Sequence, residues 1–290
     1  MPDYDAVIIG AGQAGPALAR RLAAAGRTVA IIERKLFGGT CVNTGCTPTK
    51  ALVASAYVAH VARRAADYGV TIDGTIKVDM TAVKARKDAI VAASRNGVEH
   101  SLKTLKGCTV YEGHARFIAA KKVVVNGSAL SADRIFLNVG ARAAIPAIPG
   151  LDQVPYLTNS SMMDIDFLPG HLIILGGSYI GLEFAQMYRR FGSEVTVIEL
   201  GPRLIAREDE DVSQAIAGFL KDEGIDLRVD SKIAGVAKLG DSIGVTVQSD
   251  GRTSQVIGTH LLLAIGRRPN TDDLDLDKAG IATDARGYIP

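Results

Sequence analysis

The chain contains a version of itself. The segment AVIIGAGQAGPALARRLAAAGRTVAIIER, from Ala6 to Arg34, aligns without a gap on LIILGGSYIGLEFAQMYRRFGSEVTVIEL, from Leu172 to Leu200. Gly10 falls on Gly176, Gly15 on Gly181, Gly26 on Gly192, Val29 on Val195 and Glu33 on Glu199. Each copy reads as a buried apolar strand, a glycine turn and an amphipathic helix. A terminating glycine and a second apolar strand ending in an acid follow. With 290 residues, more than one domain's usual length, the repeat predicts two compact units of the same kind.

Such a unit is a βαβ fold built to hold a dinucleotide. The first glycine permits a tight turn, the second lets the backbone approach a pyrophosphate, and the third allows close helix–strand packing. The helix N-terminus then faces the phosphates, and the acid closing the second strand is placed to bond ribose hydroxyls. One glycine pattern alone is weak, because glycine turns before helices are common. Two copies in register, each with strand context and acid, are specific. The first copy carries Gly10, Gly12 and Gly15. The second has Ser178 where the middle glycine belongs, a small side chain that the site is expected to tolerate.

Charge is balanced at +2 with no long basic block, which argues against nucleic acid or a membrane surface as the main partner. MPDYDAVIIGAG enters a strand at once, without a basic leader or cleavage site, so a cytoplasmic location is expected. Fold class is expected to be α/β: two Rossmann-like dinucleotide-binding domains with helical and β-hairpin insertions. KALVASAYVAHVARRAADYG and MTAVKARKDAIVAASRNGVEHSLKTLKG carry helical apolar spacing. VYEGHARFIAAKKVVVNG alternates and ends in Asn-Gly, a hairpin signal. RIFLNVGARAAIPAIPG runs from a strand into a Pro/Gly-rich linker. The expected division is therefore 1–150, 151–266 after which HLLLAIGRRPN closes the second domain, and a returning segment 267–290.

Directly after the first unit's acid comes GGTCVNTGCTPTK, Gly38 to Lys50, with two of the three cysteines. On a regular helix, five residues at about 100° each would put Cys41 and Cys46 some 140° apart. A disulfide needs Cα atoms within roughly 4.4–6.8 Å, so a pair there requires a bend, for which Asn43 and Gly45 are suited. Thr47 is expected as an N-cap with Pro48 opening a helix. Cys46 then sits just outside the helix's positive end, which favours a thiolate. Zinc would need two further ligands, and Cys108 with five scattered histidines supplies no such pattern, so no metal site is expected. A structural crosslink of so short a loop would gain little. A redox pair that turns over is the favoured reading, with two inert thiols as the alternative.

With GGSYIGLEFA and AIGRRPNT added to that block, the chain resembles the pyridine nucleotide-disulfide oxidoreductases over essentially its whole length. Dihydrolipoyl dehydrogenase, glutathione reductase and mercuric reductase belong to that family, and Val42, Thr44 and Thr47 lean towards the mercuric reductase-like wording. The resemblance implies a flavoprotein oxidoreductase that passes electrons from NAD(P)H through FAD to a redox-active Cys41–Cys46 disulfide. A small disulfide or a metal ion would then accept them. The first unit would hold FAD through Gly10, Gly12, Gly15 and Glu33, with Gly39 and Thr40 along the pyrophosphate and flavin. Ala115 would lie near the adenine, and Asn138 and Gly140 would add a contact, although the family usually has Thr at Asn138. Cys41 would meet the substrate as the more exposed thiol, and Cys46 would sit sheltered against the flavin. Lys50 would approach the flavin, paired with Glu183. The second unit would hold the nicotinamide nucleotide through Gly176, Ile180, Gly181 and Glu199. Tyr179 would act as a lid and Ile233 would lie beside the adenine. Gly266 and Arg267 would return the chain to the first unit. Glu199 should repel a 2′-phosphate, so NADH is expected over NADPH, with Arg203 and Arg207 close by as possible phosphate recruiters.

The chain stops at DARGYIP. Members of the family continue there into a closing flavin segment and a dimerisation domain that supplies a His–Glu pair to the partner's site. The expectation is a homodimer only with that domain, and weak flavin binding and poor turnover for this chain alone. Dihydrolipoyl dehydrogenase is the alternative within the enzyme class. A nucleotide-binding chain without efficient turnover is the alternative outside it.

Overall fold

The computed structural model describes residues 2–290. In chain order it begins with β1 (Asp3–Ile9), α1 (Ala14–Ala24), β2 (Val29–Glu33), the single-turn α2 (Gly39–Asn43), α3 (Cys46–Arg63) and α4 (Met80–Lys103). Then follow β3 (Cys108–Glu112), β4 (Ala115–Ala119), β5 (Lys122–Val125), β6 (Ser128–Leu137) and β7 (Ala141–Ala143). The rest comprises β8 (Leu157–Thr158), β9 (His171–Leu175), α5 (Tyr179–Phe191), β10 (Glu194–Ile198), α6 (Glu210–Asp222) and β11 (Asp226–Arg228). It closes with β12 (Lys232–Leu239), β13 (Ser242–Ser249), β14 (Arg252–Gly258), β15 (His260–Leu263) and β16 (Arg267–Pro269).

The chain divides into two compact units. The first gathers residues up to Pro48 together with Asp88–Arg142 and Arg267–Pro290, and the second gathers Thr49–Lys87 and Ala143–Gly266. Residues 49–87, which precede the linker near residue 150, thus group with the second glycine turn.

In the first unit six strands run in the order β3-β2-β1-β6-β5-β4. The pairs β1–β2, β2–β3 and β1–β6 are parallel. Parallel strands covered on both faces read as continuous apolar runs, and Val7, Ile8, Ala30 and Ile31 are fully buried. The last three strands are antiparallel. The Asn-Gly signal forms the turn of the β5–β6 hairpin, where Asn126 and Gly127 both take positive φ (48° and 78°). That geometry matches strand twist, and Asn and Gly tolerate it.

The second unit's sheet runs β11-β10-β9-β15-β8 and is parallel throughout. An antiparallel meander β12-β13-β14 is inserted before β15. The two units therefore share a third strand, second strand, first strand, fourth strand order, each with antiparallel strands placed before the fourth. The duplication extends well beyond the two segments that align by sequence. Leu52 and Ala56 of α3 join Phe184, Tyr188 and Phe191 of α5 in the second unit's core, and that burial explains why residues 49–87 belong there.

Candidate functional site

Each glycine turn is fixed by close backbone packing. Gly10 takes φ +105° and Gly176 φ +108°, a region open mainly to glycine. A Cβ at Gly10 would lie 2.2 Å from Asn138 O, and one at Gly176 would lie 2.5 Å from Ala264 O. A Cβ at Gly15 would lie 2.2 Å from Gly10 O, and one at Gly181 would lie 2.1 Å from Gly176 O. The third glycine of each copy is thus what lets the helix start against the turn. Gly12 differs: the nearest atom to its Cβ position is Asn138 Nδ2 at 3.6 Å, so the fold itself does not require glycine there. A bare α-carbon at that point suits close approach by a pyrophosphate, and the first turn fits such a group. Ser178, its counterpart, is extended (φ −103°, ψ −176°) and opens α5 without a side-chain cap.

The acids grip the turns they follow. Glu33 Oε2 accepts from Ala11 N (2.9 Å) and Oε1 from Lys35 N (2.8 Å). Glu199 Oε2 accepts from Gly177 N (2.6 Å) and Oε1 from Gly201 N (2.8 Å). Charge-assisted bonds of this kind hold both carboxylates at the carboxyl ends of their sheets, where ligands bind in such folds.

The cysteine loop is tied to the first turn. Gly38 N donates to Ala11 O (2.8 Å), and Gly38 and Gly39 both take left-handed φ (88° and 58°). A Cβ at Gly39 would lie 2.8 Å from Gly12 Cα, so the two glycines meet face to face. At the bend a Cβ on Gly45 would crowd Thr40 O at 2.9 Å and Cys41 Cα at 3.2 Å. This bend sets Cys46 beside Cys41, close enough for its thiol to act on that of Cys41. The structure holds them as free thiols. Burial, and then the neighbouring Cys46 thiol, push the Cys41 thiol up from its ordinary value.

One expectation is corrected here. The helix begins at Cys46 rather than at Pro48, with Thr47 inside its first turn and not capping it. Amides of a first turn have no partner in the helix, so Pro48 is accommodated at its third position as well as at its first. The chain itself leaves Cys46, expected to shelter against the flavin, exposed, while Cys41 is half-buried. Cys41 lies within α2, packed by its own loop, whereas Cys46 opens α3 where little of the chain covers it.

In the second unit Lys50 Nζ donates to Glu183 Oε1 across 133 positions of sequence. Tyr179, the first residue of α5, is half exposed and its hydroxyl donates to the Glu208 carboxylate. That bond raises the Tyr179 phenol above its ordinary value. Glu208 was invisible to sequence reasoning, since no spacing rule links it to residue 179. Arg203 donates to Ala206 O (3.1 Å). Ile180 is partly buried against the core beneath the turn, and Ile233 lies on β12 against the meander's core.

The remaining named residues lie on or beside β4, β6, β7 and β16. Ala115 is buried at the start of β4. Asn138 Nδ2 donates to Gly10 O (3.3 Å), so it braces the turn that the family usually meets with Thr. Asn270 N donates to Gly140 O (3.0 Å), and Arg267 donates to Ala141 O (2.6 Å) as β16 pairs with β7. Gly266 takes φ +135°. His114 Nε2 donates to Asp273 O (2.8 Å) and Arg34 reaches the same residue's carboxylate (2.5 Å), a cluster beside Glu33 that no motif announced. Among the described residues no helix is long and apolar enough to cross a membrane, and no group of His, Cys, Asp or Glu is placed to hold a metal ion.

Two duplicated nucleotide folds, with a dithiol loop tied to the first, define a nucleotide-dependent oxidoreductase class. Residues 4–290 match the family described as pyridine nucleotide-disulphide oxidoreductase. The chain belongs to that family. It is 35% identical over 287 residues to a mercuric reductase of Bacillus cereus, covering 99% of this chain and 45% of that one. It is 37% identical over 296 residues to the probable pyridine nucleotide-disulfide oxidoreductase RclA of Escherichia coli (strain K12), covering all of this chain and 62% of that one. A dihydrolipoyl dehydrogenase of Acholeplasma laidlawii is 33% identical over 290 residues, covering 97% and 85%. Among solved structures, the Cu(II) complex of the HOCl-induced flavoprotein disulfide reductase RclA from Escherichia coli superposes with a TM-score of 0.87 at 36% identity. It covers all of this chain and 62% of that one. The chain thus spans about half to two-thirds of the length of most of these relatives.

Proposed function

We propose that the protein is an FAD-dependent NAD(P)H oxidoreductase that reduces a small disulfide or a metal ion through Cys41 and Cys46. The observation that carries this reading is a loop anchored to the Gly10–Gly15 turn whose bend at Gly45 sets Cys46 beside Cys41. The first unit would hold FAD at that turn with Glu33, and the second would hold the nicotinamide nucleotide at Gly176–Gly181 with Glu199. When bound, FAD supplies a two-electron relay from nicotinamide to sulfur. The chain's own residues perform the exchange. One cysteine thiolate attacks a sulfur of the acceptor disulfide and releases the first thiol. The other then attacks the mixed disulfide, closing Cys41–Cys46 and releasing the second thiol. Two electrons and two protons leave the pair. Cys41 is assigned to the acceptor, and the exposed sulfur of Cys46 is free to lie against the flavin. Lys50, fixed by Glu183, supplies a positive charge one turn along α3 from Cys46. The named relatives include mercuric reductases and dihydrolipoyl dehydrogenases, which supports both acceptor classes.

The test counts thiols. Oxidised protein with bound flavin, given NADH without air, should gain two thiols reactive with a colorimetric disulfide, and Cys41→Ser or Cys46→Ser should gain none. Equal thiol counts before and after NADH would defeat the reading. NADH is proposed over NADPH, since the Glu199 carboxylate would repel a 2′-phosphate brought to that strand end and Arg203 is engaged with Ala206 O. Rapid-mixing flavin bleaching that is faster and saturates lower with NADPH would reverse that preference.

A further inference from the structure

The dithiol loop contains a buried polar atom without a partner, Asn43 Oδ1. The other end of the same amide is fully used: Asn43 Nδ2 donates to Phe37 O and to Gly39 O, each at 2.9 Å. Asn43 closes α2, and its two acceptors lie before and at the start of that helix. A five-residue helix is far too short to hold itself together, because nucleation fixes several residues for one hydrogen bond. Its entry is also unusual, with two consecutive left-handed glycines at 38 and 39. The side-chain amide therefore staples the end of the turn to its beginning, at the cost of leaving a buried oxygen unsatisfied.

Cys41 lies inside the stapled turn, and Cys46 follows across the Gly45 bend, which packs so near Thr40 and Cys41 that no side chain would fit there. Whether two thiols meet depends on their relative placement, and displacements near 1 Å can change reactivity by about a hundredfold.

We propose that Asn43 is a positioning residue for the redox pair: its two amide bonds set the separation at which Cys41 and Cys46 form and release their disulfide. This rests on the reading that the pair turns over. The amide's donors, rather than its size, do the work. Asn43→Asp keeps the shape but turns lone pairs toward two carbonyl oxygens, while Asn43→Ala removes the donors without adding charge.

The test is the thiol–disulfide equilibrium of the flavin-bound protein in glutathione buffers, followed by alkylation and mass measurement. There, two protein thiols and one glutathione disulfide give one protein disulfide and two glutathione thiols, so the midpoint reports how readily the pair closes. Asn43→Asp and Asn43→Ala should each move it about tenfold or more toward the dithiol. Val42→Ala serves as the comparison, since Val42 is buried in the same turn but takes no part in the staple. It should lower thermal stability and leave the midpoint within about twofold. If Asn43→Asp does not fold, Asn43→Ala decides. A midpoint within twofold of the parent in Asn43→Ala, or an equal shift in Val42→Ala, overturns the proposal. A parent that forms no Cys41–Cys46 disulfide at any glutathione ratio overturns the redox reading itself, and this inference with it.

Discussion

Gly15→Ala isolates what the third glycine of the turn does. Gly15 is not in the left-handed region, so alanine meets no backbone strain there. As a residue of α1 it would even gain helix propensity of about 1 kcal/mol. Against that, its Cβ would lie 2.2 Å from Gly10 O and 3.2 Å from Asn138 Nδ2. An ordinary carbon–oxygen contact starts near ~3.3 Å, so helix and turn must separate by about 1 Å. Overpacking of this kind costs roughly 1–3 kcal/mol, and the upper end applies because the opposing atom is backbone. The net loss is about 2 kcal/mol, or roughly 4–8 °C of Tm for a protein of this size. The same shift displaces the Gly12 amide from the position proposed to meet a pyrophosphate, so flavin content should fall sharply. Gly181→Ala repeats the clash at 2.1 Å from Gly176 O and should weaken NADH binding while leaving flavin in place. Gly26→Ala is the control. It adds strain at φ +76° but meets nothing within 4 Å, so it should cost about 1–2 kcal/mol and leave both ligands bound. Flavin absorbance, calorimetry and NADH titration read all three. Full flavin occupancy and an unchanged Tm in Gly15→Ala would refute the steric reasoning. Loss of both ligands in both variants would refute the assignment of one nucleotide to each turn.

Two further outcomes follow from charges away from the turns. Glu223 is mostly buried and holds Arg190 (2.8 and 2.6 Å) and Gln186 (2.8 Å). Burial pushes its carboxyl up, but the Arg190 guanidinium, the Gln186 amide and His60 together outweigh this, so the group ends below its ordinary value. Its contribution is present above pH 4.5 or so and is lost as pH falls through the folded value. Glu223→Gln should cost about 3 kcal/mol near neutrality by leaving Arg190 unpaired, and the deficit should shrink in acid; a deficit constant down to pH 3 would contradict the linkage. Tyr4 and Tyr111 share a hydroxyl–hydroxyl bond of 2.8 Å, which, followed by burial, pushes Tyr111 up to about 12. Its stabilising effect is complete below about pH 10 and lost as pH rises through that raised value. Absorbance titration at alkaline pH should lose one of its late-titrating phenols in Tyr111→Phe, leaving those of Tyr179 and the buried Tyr188; an unchanged curve would count against the pair.

What the sequence determined was whatever depends on neighbours along the chain. Both glycine turns, the strands flanking them, the Asn126–Gly127 hairpin and the bend at Gly45 follow from local sterics and periodicity, and each was legible before any fold was known. Family resemblance added the pairing of Lys50 with Glu183, which no local rule could supply. The tertiary structure decided what depends on residues distant in sequence. It placed residues 49–87 in the second unit, because the apolar face of α3 finds its cover on α5. It set Asn138 against Gly10 and Glu208 against Tyr179, contacts made only when strands or loops far apart in sequence are brought side by side. It also fixed how much of each thiol the chain itself covers, Cys41 more than Cys46, since burial is set by what packs over a side chain and not by its position in a motif. The duplication shows the same division. Sequence retains it at the glycine turns, where close backbone contact forbids a side chain, and at a few positions such as Glu33 and Glu199 that grip those turns, whereas the matching strand order survives in the fold, because many apolar sequences satisfy the same buried sheet.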